Sequence, residues 1–196
     1  MKNIVIIGGT KGIGKAIVAS LVTNNNITCL SRNKSEFSHD NYSHIKYNSL
    51  EDDLPEIEFV DCLIYCPGSI NLKPITNLSI DDFRNDFEIN VIGAVKCIKK
   101  YLPQLKNGVN PSILLFSTVA TKLGMPYHAS VSVAKSGIDG LVKTLGAELS
   151  PKIRINAIAP TITDTELASK ILRNEKVIEN MIAVSYTHLR AHETDT

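Results

Sequence analysis

Apolar residues along this chain fall into two patterns. Short, nearly continuous runs occur at Lys2–Ile7, Ile27–Ser31, Val60–Tyr65, Ser112–Ser117 and Ile153–Ile158, with a weaker one at His44–Tyr47. Runs of this length, bounded by polar stretches, read as six strands. Between them the apolar residues recur every three or four positions. Ile13, Ile17 and Leu21 mark a helix that starts inside a glycine turn. A long helix opens at Ser79, with Asp82 three residues on as a capping-box-like pair. Its predicted buried stripe is Phe83, Phe87, Val91, Ala94, Ile98 and Leu102, and Pro103 is expected to end it. A second long helix is expected from about Ser130 to Leu149, with Ile138, Leu141, Val142, Leu145 and Leu149 inward. Gly137, Gly140 and Gly146 are costly inside a helix, which predicts close helix–helix contact in the core or across an oligomer interface. Residues 32–43 are too few for a full crossover helix, so a loop or single turn is expected there. Strands apolar on both faces, alternating with helices, define an α/β chain with a parallel sheet covered on both sides.

Composition adds limits. The 196 residues are 43% apolar and 21% charged, which fits one soluble globular domain. A net charge of +1 with no basic block gives no nucleic-acid surface. No apolar run approaches the ~20 residues of a membrane span. The chain enters a strand at once, so no signal peptide and a cytoplasmic location are expected. Cys29, Cys62, Cys66 and Cys97 form no C-x-x-C pair and read as reduced thiols rather than a metal site or disulfide frame.

The chemistry starts at Gly8-Gly9-Thr10-Lys11-Gly12-Ile13-Gly14, between the first strand and the first helix. Strand, glycine turn and helix together are the context of a nucleotide-phosphate site. Gly8 permits the sharp turn, Gly12 the approach of a pyrophosphate, and Gly14 close packing of helix on strand. The helix N-terminus would present free N–H groups to the phosphates. The alternative is a tight βα turn with no ligand.

The G-x3-G-x-G spacing resembles the short-chain dehydrogenase/reductase family. That resemblance implies a three-layer Rossmann fold, a doubly wound sheet in the order 3-2-1-4-5-6, and a dinucleotide held by Gly8, Thr10, Lys11, Gly12, Ile13 and Gly14. Ser31 and Arg32 end the second strand, where an acid would bind a ribose 2′-OH and an arginine suits a 2′-phosphate. With Lys11 as a second positive charge, the expected cofactor is NADP (NADPH) rather than NAD. The other reading of Arg32 is a solvent-exposed loop residue. Asn48 stands where the family commonly has an aspartate near the adenine. Cys66-Pro67-Gly68 stands where it has Asn-Ala-Gly.

The same resemblance assigns Asn90 to a proton-relay water, the alternative being an asparagine satisfied by neighbouring backbone. It assigns Thr118 to the substrate oxygen, and Lys135 to the nicotinamide ribose. It does not supply the proton donor: four residues before Lys135, where the family has tyrosine, stands Val131. Three accounts compete. Another group, His128 or Tyr127, donates the proton; the chain binds cofactor without hydride chemistry; or the reaction needs no strong acid. The stretch from Phe116 to Thr165 resembles a divergent branch of the family that also lacks the tyrosine.

Pro160, Ile162 and Thr165 match the loop that meets the carboxamide and phosphates, and residues 166–181 would form a substrate lid. The resemblance implies a small-molecule substrate and a homodimer or homotetramer. It is expected to cover a domain of residues 1–182 and to lack the seventh strand, with residues 183–196 a non-native tail on a truncated chain. The resulting expectation is an NADP-dependent oxidoreductase acting on a carbonyl or alcohol. The competing expectation is a catalytically silent NADP-binding regulator or scaffold.

Overall fold

The computed structural model describes residues 1–49 and 51–168. Its six strands are β1 (Asn3–Ile7), β2 (Asn26–Ser31), β3 (Tyr42–Lys46), β4 (Cys62–Tyr65), β5 (Ser112–Phe116) and β6 (Arg154–Ile158). They form one parallel sheet in the order β3-β2-β1-β4-β5-β6, as expected. Along β1 the side chains alternate between two cores, which is why the run is apolar throughout. Ile4 and Ile6 pack with Val18, Ile27, Ile64 and Phe116 on the face covered by α1 (Gly12–Leu21). Val5 and Ile7 pack with Leu63, Ile113 and Leu115 on the other face. That face is covered by α3 (Gly93–Asn107) and α5 (Ala129–Leu149), through Tyr101, Leu105 and Ile138. Residues 32–41 contain no helix, and β6 is the sheet's edge strand among the described residues.

The helix expected from Ser79 is present but not uniform. It opens as α2 (Ile80–Phe87), where Ser79 Oγ accepts from Asp82 N–H at 3.1 Å and Ser79 N–H donates back to the Asp82 carboxylate at 2.9 Å. A π-helical turn, Glu88–Ile92, then joins α2 to α3. The wider turn shifts the helical phase. Val91, Ala94 and Ile98 are buried as expected, but Phe87 is 40% exposed and leaves the stripe. Asp86 and Asn90 are buried instead. The π turn is held by Tyr65, whose hydroxyl donates to the Ile89 carbonyl at 2.6 Å. Gly93 makes room for that hydroxyl, since a Cβ there would stand 2.1 Å from it.

Pro103 does not end the helix, which runs on to Asn107. Pro103 and Lys99, one turn before it, lie on the exposed face, where water can take the carbonyl that proline leaves unpaired. Buried Tyr101 and Leu105 hold the turns on either side. The glycines of α5 divide. A Cβ on Gly137 would stand 3.3 Å from Val91, so it serves the expected close contact with the neighbouring helix. Gly146 faces Ile155 of β6 rather than a helix, and Gly140 faces open space.

Replacing Tyr65 by Phe removes the hydroxyl that anchors the π turn. We expect it to lower stability by about 1 kcal/mol. Denaturant unfolding reads this as a lower midpoint at unchanged slope. An unchanged midpoint would mean that the turn does not depend on this bond.

Candidate active site

The strand order reverses between β1 and β4, and their C-terminal ends open the crevice where ligands bind in such sheets. Gly8 leaves β1 at φ +78° and Gly12 enters α1 at φ +51°, conformations that favour glycine. Gly8 N–H donates to the Leu30 carbonyl at 2.7 Å, tying the turn to β2. A Cβ on Gly14 would lie 2.3 Å from the Gly8 carbonyl oxygen, so only glycine lets helix and turn close. No side chain caps the N-terminus of α1, and its first turn holds no acidic residue. Its amides remain available to an anion. The segment after β6 folds back onto this turn. The Thr165 methyl would be 3.2 Å from a Cβ on Gly12, and Lys11 pairs with Glu166. Lys11 is therefore engaged by a carboxylate rather than standing free.

At the end of β2, Ser31 is buried and its hydroxyl donates to the Asn33 carbonyl at 3.0 Å. It also meets His44 Nε2 at 2.9 Å, a residue that sequence reasoning did not single out. Arg32 is exposed and makes no ion pair among the described residues. Asn48 follows β3 in a turn where its backbone N–H donates to the Asp52 carboxylate at 2.7 Å.

The other arm of the crevice is a cavity of about 170 Å³. Its wall brings together Ile13, Cys66, Gly68, Thr118, His128 and Lys135. Pro160, Ile162 and Thr165 close it from the loop after β6, and Val131 lies in the wall. Tyr127 does not belong to it: that side chain is 60% exposed at φ +66°. His128 begins α5, with Nδ1 2.7 Å from the Pro126 carbonyl. A carbonyl only accepts, so Nδ1 carries a proton in that bond.

Lys135 is buried and donates to the Phe116 carbonyl at 2.8 Å. Burial pushes its pKa down to about 8, against the opposing pull of Asp86. Burial likewise pushes the Cys66 thiol up to about 12, so it stays protonated beside the lysine. Asn90 Nδ2 donates to the Asp86 carbonyl at 2.7 Å and to Ser69 Oγ at 3.0 Å, while Oδ1 has no partner. One backbone carbonyl and one side-chain hydroxyl satisfy the amide nitrogen, and the amide oxygen faces Gly68. A Cβ on Gly68 would stand 3.2 Å from Asn90 Oδ1 and 3.6 Å from Lys135 Nζ, so glycine keeps that space open.

Thr118 Oγ1 accepts from Ala120 N–H at 3.3 Å at the start of α4 (Ala120–Leu123). Neighbouring Ser117 is in the cavity wall with a buried hydroxyl that has no partner. Ser117, Ser69 and Asp86 were not anticipated. The signal for Asp86 was its place four residues before Asn90, on one helical face. The expected lid lies outside the described residues beyond position 168, as does the proposed tail.

A cradle that a Cβ would fill, an uncapped helix end, and unpartnered polar atoms in the adjoining cavity suit a dinucleotide. Known proteins agree with that geometry. Residues 49–194 match the family model described as enoyl-(acyl carrier protein) reductase. The chain belongs to the short-chain dehydrogenase/reductase family.

A 3alpha-hydroxysteroid dehydrogenase of Mediterraneibacter gnavus is 26% identical over 204 residues, covering 93% of this chain and 81% of the relative. A peroxisomal 2,4-dienoyl-CoA reductase of Saccharomyces cerevisiae is 37% identical over 108 residues, 55% of this chain and 37% of that one. Among solved structures, the ligand-free aldohexose dehydrogenase of Thermoplasma acidophilum shares the fold at a TM-score of 0.79 and 21% identity, over 92% of this chain and 76% of that one. ElxO with NADP bound superposes at a TM-score of 0.75 and 27% identity, over 87% and 77%. These relatives make the chain an oxidoreductase by family. Among the described residues no helix is long and apolar enough to cross a membrane, and no His, Cys, Asp or Glu cluster could hold a metal.

Proposed function

We propose that this chain is an NADPH-linked oxidoreductase acting on the carbonyl or alcohol of a small molecule. The observation that carries this reading is the junction of the uncapped glycine turn with the cavity around Lys135. When bound, the nicotinamide supplies or accepts the hydride. Gly8, Thr10, Gly12, Ile13 and Gly14 hold the pyrophosphate by backbone N–H groups, and Lys135 holds the nicotinamide ribose. Pro160, Ile162 and Thr165 bound the nicotinamide from the loop after β6. Arg32 is free to take the 2′-phosphate, which supports NADPH over NADH, as does the likeness to a structure with NADP bound.

Ser117 and Thr118 offer hydroxyls to the substrate oxygen. Ser117 is the one whose oxygen has no internal partner. Val131 donates no proton. Of the two groups considered for that task, only His128 lies in the cavity wall, with its Nε2 unpaired among the described residues. A protonated His128 gives its Nε2 proton to the forming alkoxide and recovers it from water. The mostly apolar wall, with Ile70, Phe116, Val119 and Met125, suits a substrate that buries hydrocarbon beside its carbonyl.

Two measurements test this reading. Nicotinamide fluorescence titrations should show NADPH bound more tightly than NADH, and Arg32→Ala should erase the preference by about tenfold in NADPH affinity. Equal affinities in the unaltered protein contradict the cofactor reading. In a screen of carbonyl compounds with NADPH, His128→Asn should slow reduction about a hundredfold at unchanged NADPH affinity. An unchanged rate removes His128 as the donor.

A further inference from the structure

Residues 66–74 follow β4 without forming a helix or strand, yet Cys66, Gly68, Ser69 and Ile70 from this stretch line the cavity. A segment with no backbone ladder needs other anchors to keep one shape. The anchor here is Asp86 of α2. Its side chain is fully buried and makes no salt bridge among the described residues. Oδ1 accepts from Ser69 Oγ and from Asn71 Nδ2, the latter at 2.9 Å, and Oδ2 has no hydrogen-bond partner. Ser69 takes a further hydrogen bond from Asn90 at 3.0 Å, and the Ser130 hydroxyl of α5 donates to the Asn71 carbonyl at 3.5 Å. Both neighbours of Ile70 are therefore tied down. Ile70 itself stands in the cavity wall, 38% exposed.

We propose that Ile70 sets the length of hydrocarbon the cavity admits, and that Asp86 is the positioning residue that holds Ile70 in place. This rests on the reading that the cavity takes the hydrocarbon of the substrate. Burying a carboxylate is costly, so its position calls for a task that an apolar side chain cannot do. That task is to gather two donors, one on each side of Ile70, at a single oxygen. Asp86 is not itself in the cavity wall, so it acts through the residues it holds. Isoleucine is stiff at χ1, so fixing its backbone leaves its side chain few places to go. Ile70 is then a wall of set depth, facing a cavity that Phe116, Met125 and Val131 also line. A ligand gains from each methylene it buries in such a cavity and gains nothing from those that reach past its end.

The test titrates the whole chain, without cofactor, with a series of straight-chain alcohols, read by calorimetry. In the unaltered chain, affinity should rise about fourfold per added methylene up to a limiting length and then level off. Ile70→Ala should move that limit to alcohols about two carbons longer. Asp86→Ala should move it in the same direction. The double variant should move it no further than Ile70→Ala alone, because the carboxylate acts through Ile70. Asp86→Asn keeps an oxygen that accepts from both partners and should leave the limit in place. A role in stability alone would weaken every alcohol by the same factor and leave the limit unmoved, which overturns the proposal. So does a series that shows no binding or no limit, or an Asp86→Asn limit that moves as far as that of Asp86→Ala. If Asp86→Ala does not fold, Ser69→Ala with Asn71→Ala breaks the same two bonds from the loop side and must shift the limit alike. Alcohol binding needs neither NADPH nor turnover. Failure of the cofactor titration or of the carbonyl screen therefore contradicts the function proposed above, and an unmoved limit contradicts this proposal alone.

Discussion

The approach of Gly14 to Gly8 controls the architecture of the site. With 2.3 Å between a would-be Cβ and the Gly8 carbonyl oxygen, the backbone of α1 sits against the turn with no side chain between. That contact aims the uncapped end of α1 into the crevice where the sheet order reverses between β1 and β4. It also fixes where β1 ends, and hence where Cys66, Pro67 and Gly68 emerge from the neighbouring β4. The Pro67 ring lies 3.2 Å from a would-be Cβ on Gly8, so the two strand ends pack against each other through a glycine and a proline. The phosphate end and the reaction end of the crevice are thereby set by one piece of backbone.

The reaction end is a polar cluster in an apolar wall. Lys135 and Asn90 are buried beside Gly68, Ser69 bridges Asn90 to the buried Asp86, and Asn90 Oδ1 and Asp86 Oδ2 lack hydrogen-bond partners. Unpaired buried polar atoms cost stability. Such a cost is maintained where a ligand completes the network. Val131 fits this picture. It places an apolar side chain of α5 in the wall that also holds Ser117, Thr118 and His128.

The six strands and the glycine turn were legible from the residues because both follow from local pattern, whereas the strand order came with the family resemblance. Strands buried on two faces read as apolar runs, and the glycines fall at a strand-to-helix junction. The π turn at Glu88–Ile92 was not legible. Its cause is a tertiary bond from Tyr65 to the Ile89 carbonyl, and Phe87 continues the ordinary helical period in sequence while pointing outward in the fold. Pro103 misled for a similar reason: whether proline ends a helix depends on which face it occupies. Thr118 was singled out through the family resemblance, but the free hydroxyl beside it on Ser117 depends on which oxygen the turn into α4 consumes. Tyr127 and His128 are adjacent in sequence, and only the backbone shows that one faces solvent and the other the cavity.

The central claim is that the glycine turn, the loop after β6 and the Lys135 cavity form one dinucleotide site. Hydrogen–deuterium exchange of the whole chain with and without saturating NADPH tests it most directly. The account predicts slowed exchange at Gly8–Gly14, in the loop 160–165 and at the start of α5, with little change at the N-terminal edge of the sheet. Protection absent from the glycine turn, or confined to surfaces remote from it, would contradict the account.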